Sequence, residues 1–171
     1  MNSKRNVIIQ CSIPYTGSTV LNNILYGLIC PTESVKAPGG FIIPDGAKIV
    51  KTHNLDIDGW NNVHGGKYNL YFVCSERVDK RLSKKYGNRP NVLCIDYPNL
   101  LETKDKSIED IVDGVYSMLT GFLPDEFVLN KETAVKRIRD MNAFYETIKH
   151  KPFSYYDSFY SIHGHHRKSV K

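Results

Sequence analysis

The stretch NVIIQCSIPYTGSTVLNNILYGL, residues 6–28, decides the fold. Val7, Ile8 and Ile9 make a short continuous apolar run, the pattern of a strand buried on both faces. A polar turn, SIPYTGST, follows, and then Val20, Leu21, Ile24, Leu25 and Leu28 recur at helical spacing. A strand, a small-residue loop and a helix N-terminus in that order form an anion site. Backbone N–H groups converge on the ligand, and the helix dipole adds partial positive charge. Gly17 removes a Cβ that would hold a phosphate away from the backbone, and Ser18 and Thr19 can each donate a hydroxyl hydrogen bond. The loop is not a Walker A motif, which requires a lysine just before its Ser/Thr; here Gly17 leads directly into Ser18. An ordinary Ser/Thr cap on a buried helix is the plain alternative.

The chain of 171 residues suits one domain, residues 1–171, large enough for a core without staples. Its net charge of +5 is unevenly placed. Residues 163–171 hold three histidines, one arginine and two lysines with no acid, which suits an anionic ligand or a solvated, frayed tail. The four cysteines show no C-x-x-C pairing, and Cys11, Cys74 and Cys94 each end an apolar run, where a reduced cysteine behaves as a small hydrophobe. No apolar run approaches the roughly 20 residues of a membrane helix, and no signal peptide is visible. A cytoplasmic protein with no membrane or nucleic-acid partner is expected; the oligomeric state is not legible.

Residues 31–45, rich in Pro and Gly, read as a long surface loop. Residues 47–50 read as a second strand, 55–66 as irregular, 68–74 as a third strand and 75–86 as a helix. A fourth strand is expected over 91–95. Ser107 and Asp110 form an acidic capping box that opens a helix closing near Gly121, and a last helix spans about 132–150 before Pro152. Strands alternating with helices imply a three-layer α/β/α fold around a parallel sheet of about four to five strands. Ligands bind beyond the carboxyl ends of such strands. Residues 12–19, 51–53, 75–81 and 96–97 all follow strand ends and are expected to share one edge.

Three further motifs join the loop. Lys51-Thr52-His53 puts a lysine and a histidine at a strand end, suited respectively to stabilising a negative leaving oxygen and to taking a proton near neutrality. The run from Ser75 through Arg77 to Ser83 follows the third strand; for Lys80 and Arg81 a solvated helix face salt-bridged by Glu76 and Asp79 reads as well. Near the end lies Gly164 with Arg167 and Lys168, where the glycine permits close approach and the arginine offers a phosphate fork. The neighbouring His-x-His-His could instead bind a metal, but no cysteine or carboxylate cluster is paired with it, and no metal is expected.

Taken together, these four elements resemble the sulfotransferases that use 3′-phosphoadenosine-5′-phosphosulfate (PAPS), in that family's order and over residues 7–168. The resemblance implies a P-loop NTPase-like fold. It implies that Tyr15, Thr16, Gly17, Ser18 and Thr19 cradle the 5′-phosphosulfate, with His53 as base and Lys51 on the bridging oxygen. Ser75, Arg77, Ser83, Gly164, Arg167 and Lys168 would hold the 3′-phosphate of PAPS or of its product, adenosine 3′,5′-bisphosphate. Tyr15 stands where the family usually carries Lys or Arg, and Ser75 where it carries Arg. The acceptor implied is a hydroxyl or amine of a small molecule or glycan. A P-loop kinase of small molecules or nucleotides, or a non-catalytic phosphate-binding descendant, are the alternatives. Trp60, Tyr155, Tyr156 and Tyr160 read equally as acceptor-stacking or core residues.

Overall fold

A computed structural model describes residues 3–35 and 39–165. Four strands, β1 (Arg5–Cys11), β2 (Ile49–Thr52), β3 (Tyr68–Glu76) and β4 (Val92–Asp96), pair in parallel in the order β2-β1-β3-β4. The side-chain alternation of each strand feeds two cores. Ile8, Ile49, Val73 and Ile95 face α1 (Ser18–Ile29), α4 (Ile108–Thr120) and α5 (Lys131–Ile148). Val7, Ile9, Val50, Phe72 and Cys74 face α2 (Ile57–His64) and α3 (Arg81–Tyr86). The result is an α/β arrangement with helices on both faces of a parallel sheet, as the alternation of elements predicts.

The chain leaves β1 to one side for β2 and crosses to the other for β3. This makes the crevice beyond the ends of β1 and β3 the switch point of the sheet, where open α/β sheets bind ligands.

Most boundaries follow the expected punctuation. The Ser107–Asp110 capping box is reciprocal, Asn130 caps α5, and residues 31–35 and 39–45 carry no helix or strand. Three segments differ. Residues 57–64 are helical rather than irregular, because Asp56 caps the first turn by accepting from the Gly59 N–H, and Trp60 is completely buried beneath the sheet. Residues 75–80 are not helical: Ser75 and Glu76 extend β3 by pairing with Ile95 and Asp96, and helix begins only at Arg81. Finally, β5 (Tyr156–Asp157) and β6 (Ile162–His163) form an antiparallel hairpin that no period in the sequence announced.

Candidate functional site

The loop between β1 and α1 is built on backbone rather than side-chain caps. Tyr15 and Gly17 both take left-handed conformations, with φ of 63° and 77°. Gly17 ends the loop as the N-cap of α1, and no side chain caps that helix or places an acid in its first turn. By contrast α2, α4 and α5 are all side-chain capped. The α1 N-terminus thus keeps its partial positive charge unanswered by any carboxylate of its own first turn.

Buried hydrogen bonds tie this loop to the next strands. The Ser12 hydroxyl accepts from the Ser75 N–H at 2.9 Å and from the Gln10 amide. Thr16 Oγ1 donates to the Ile13 carbonyl at 2.6 Å and lies 2.8 Å from Ser75 Oγ. Arg77 donates twice to the Tyr15 carbonyl, at 2.7 and 3.2 Å, with its guanidinium over the Tyr97 ring. A Cβ on Gly17 would meet Tyr97 at 3.0 Å, so the turn after β4 closes on the same loop. The four strand-end segments accordingly lie together at one edge of the sheet.

Lys51 and His53 join this edge from β2. His53 Nδ1 sits 2.9 Å from the Ser12 carbonyl, and only a protonated nitrogen can make that bond. In the neutral ring Nε2 therefore carries the lone pair, and the exposed imidazole presents a proton acceptor next to the loop. Lys51, register partner of Gln10, is 5% exposed and donates to Ser161 Oγ at 2.7 Å. Ser161 is held in a left-handed conformation on the β5–β6 hairpin, and its hydroxyl also receives the Tyr156 hydroxyl at 3.2 Å. No carboxylate pairs with Lys51 among the described residues, and burial pulls its pKa from the ordinary 10.5 down to about 8.

That cost has a measurable sign. The folded ammonium is penalised at every pH below about 8. Between about 8 and 10.5 the unfolded chain keeps a proton that the folded chain has released, so stability rises with pH across that window. Lys51→Met should therefore stabilise the fold at neutral pH, by up to about 3 kcal/mol less the lost Ser161 bond, with the gain fading toward pH 10.5. Urea melts of variant and parent at both pH values check this; a variant destabilised at pH 7 refutes it.

Other expected residues are placed differently. Ser75 is wholly buried, its amide donating to Ser12 and its hydroxyl meeting Thr16, so it anchors the loop instead of facing a ligand. Ser83 donates to the carboxylate of Glu76, which also accepts from the Leu82 and Ser83 N–H groups at 3.0 and 3.2 Å. An internal carboxylate thus occupies the start of α3, where the resemblance implied a 3′-phosphate. Gly164 serves close packing: a Cβ there would lie 2.3–2.4 Å from the Lys151 and Pro152 carbonyl oxygens. Arg167 and Lys168 lie outside the described residues. Of the aromatic residues, Trp60 is core, whereas Tyr155 and Tyr156 are exposed on the hairpin.

No family model and no curated protein matches the chain.

The residues missed from the sequence are the buried polar ones. Glu76 ends β3 with no exposure at all, and Ser161 is the partner that Lys51 finds. Asn23 lies on the inner face of α1, donating to the carbonyls of Thr19 and Tyr160. The one available signal was an asparagine on the apolar side of a helix, where only a hydrogen-bonding duty repays the burial. Among the described residues no cluster of His, Cys, Asp or Glu could hold a metal ion, and no helix is long and apolar enough to cross a membrane.

Proposed function

We propose that the chain transfers the sulfuryl group of PAPS to a hydroxyl or amine of a small-molecule or glycan acceptor, on a P-loop NTPase-like scaffold. The observation that carries this reading is the buried Lys51 ammonium without a carboxylate, at the same sheet edge as the uncapped α1 N-terminus and the free Nε2 of His53. Residues 160–161 link the two cationic features directly, since Tyr160 accepts from Asn23 of α1 and Ser161 from Lys51.

In this reading the 5′-phosphosulfate lies against Tyr15, Thr16, Gly17, Ser18, Thr19 and the α1 N-terminus. The acceptor oxygen attacks sulfur while its proton passes to His53 Nε2. The bond from sulfur to the bridging oxygen breaks, and Lys51 stabilises the charge that gathers on that oxygen. Moving Lys51 from Ser161 to an anion would also restore the ammonium's ordinary basicity, adding to the gain on binding. With Ser75 and Ser83 committed within the fold, the 3′-phosphate falls to Arg77, Arg167 and Lys168.

A second reading, binding without transfer, has its own observation: Glu76 already fills the α3 start, and Tyr15, 77% exposed, stands at the loop's usual basic position. Thermal shift separates binding partners first. A ligand at about 100 times its Kd stabilises by roughly 2.7 kcal/mol. Adenosine 3′,5′-bisphosphate is expected to do so and ATP with magnesium is not; the reverse result would replace the proposal with the kinase reading. Labelled-sulfate transfer to an acceptor mixture then divides enzyme from binder, and bisphosphate binding without any transfer would leave the binder.

A further inference from the structure

Three thiols near the site have no part in sulfuryl transfer. Cys11 on β1, Cys74 on β3 and Cys94 on β4 stand side by side across three adjacent parallel strands. Cys74 and Cys94 are register partners, and Cys11 Sγ lies 3.2 Å from Cys74 Sγ. Neighbouring strands run about 4.8 Å apart, within the roughly 4.4–6.8 Å between Cα atoms that a disulfide spans. Cys11 and Cys74 are fully buried, while Cys94 is partly exposed.

Position in the row sets an order of reactivity within the Cys74–Cys94 pair: they are register partners, and Cys94 is the partly exposed one. The adjacent Cys74 thiol holds the Cys94 pKa below the usual thiol value, against the opposing effect of burial. The neighbouring Cys11 and Cys94 thiols, together with burial, push Cys74 well above that value. Cys94 thus ionises more readily than Cys74, and the thiolate is the form that attacks an oxidant. Cys30, away from the sheet, has its pKa pushed up by burial to about 12 and serves as an internal control.

We propose that Cys94 and Cys74 form a peroxide-responsive pair, Cys94 being the oxidised residue and Cys74 the resolving one. The Cys94 thiolate attacks one oxygen of hydrogen peroxide; an S–O bond forms, the O–O bond breaks, and the departing hydroxide takes a proton to become water. The sulfur gives up two electrons to the peroxide and becomes a sulfenic acid. The Cys74 sulfur then attacks the Cys94 sulfur, the S–O bond breaks, and the leaving hydroxide carries off the Cys74 proton as a second water. The new bond immediately precedes Ser75, whose amide and hydroxyl anchor Ser12 and Thr16, so oxidation acts on the support of the anion loop.

The test is a disulfide map of the full chain after hydrogen peroxide, with free thiols alkylated and peptides analysed without reduction. A Cys74–Cys94 linked peptide within monomeric chain is expected, with Cys11 and Cys30 alkylated. Cys74→Ser should abolish the link and leave a Cys94 sulfenic acid that dimedone captures; Cys94→Ser should lose the link and the dimedone adduct together. Alkylated Cys94 in the oxidised parent, or a Cys11–Cys74 link that forms as fast in Cys94→Ser, overturns the proposal. The parent map requires no variant, so a substitution that fails to fold leaves the test standing.

Discussion

On the proposed sulfuryl transfer, replacing His53 by alanine is expected to lower the rate by about 10²- to 10⁴-fold, or roughly 2.7–5.4 kcal/mol at the barrier, with bisphosphate affinity almost unchanged. The split follows from where the ring is held. Its Nδ1–H is spent on the Ser12 carbonyl, which fixes the ring plane and leaves Nε2 for the acceptor proton. The exposed imidazole supports little of the core, so truncation costs the fold no more than about one hydrogen bond, on the order of 1 kcal/mol. His53→Asn sharpens the test, because the amide N–H can replace Nδ1–H against Ser12 but supplies no base. Lys51→Ala should behave differently, cutting turnover and donor affinity together, since an ammonium attracts the phosphosulfate in both ground and transition states. Transfer rate and bisphosphate Kd for the three variants, each with a native melt, decide the matter. A His53→Ala chain as active as the parent would remove the base.

How much of this was legible before the structure depends on the kind of residue. The strands were readable because each is a short apolar run closed by polar residues. The later helices were readable because Ser107, Asp110 and Gly121 punctuate α4 and Pro152 follows α5. Helix α2 was hidden because its eight residues include a glycine and two asparagines, and two buried residues, Ile57 and Trp60, are too few to declare a period; the Asp56 cap and their burial hold it. The β5–β6 hairpin was hidden for the opposite reason: it consists of two-residue strands set by tertiary contacts rather than by alternation. At the candidate site, strand-end positions announced that the α1 loop, Lys51 and His53 would meet at one edge. The roles that the resemblance implied for Ser75 and Ser83 were not legible, because whether a serine faces a ligand or a neighbour depends on what else the fold brings there. Here that was Thr16 in one case and the Glu76 carboxylate in the other.

The largest effect on stability is expected at Arg137, which sequence periodicity placed nowhere special. Its side chain is buried, 3% exposed, and reaches four acceptors in three directions. Nε donates to Asn23 Oδ1 at 3.0 Å, Nη1 to the carbonyls of Pro31 and Glu33 at 2.8 and 3.0 Å, and Nη2 to that of Phe159 at 2.7 Å. The guanidinium also lies 4.3 Å from the Phe159 ring centre. One planar fork thus joins α5 to α1, to the loop after α1 and to the hairpin that carries Ser161. Arg137→Met removes a costly desolvated cation but leaves three polar acceptors unpaired, Asn23 Oδ1 and the Pro31 and Glu33 carbonyls, each worth about 1–3 kcal/mol if water cannot reach it, while the Phe159 carbonyl keeps the Val35 N–H at 3.4 Å. The net loss expected is about 3–4 kcal/mol, near the upper end of single-substitution effects. Arg137→Lys should recover little, because three donors on one nitrogen cannot span acceptors set around a fork. Urea unfolding checks both: the midpoint should fall with the slope unchanged. If Arg137→Lys instead melts like the parent, charge alone rather than the fork holds these segments. If Arg137→Met does so, the joint is not the one that secures the hairpin over Lys51.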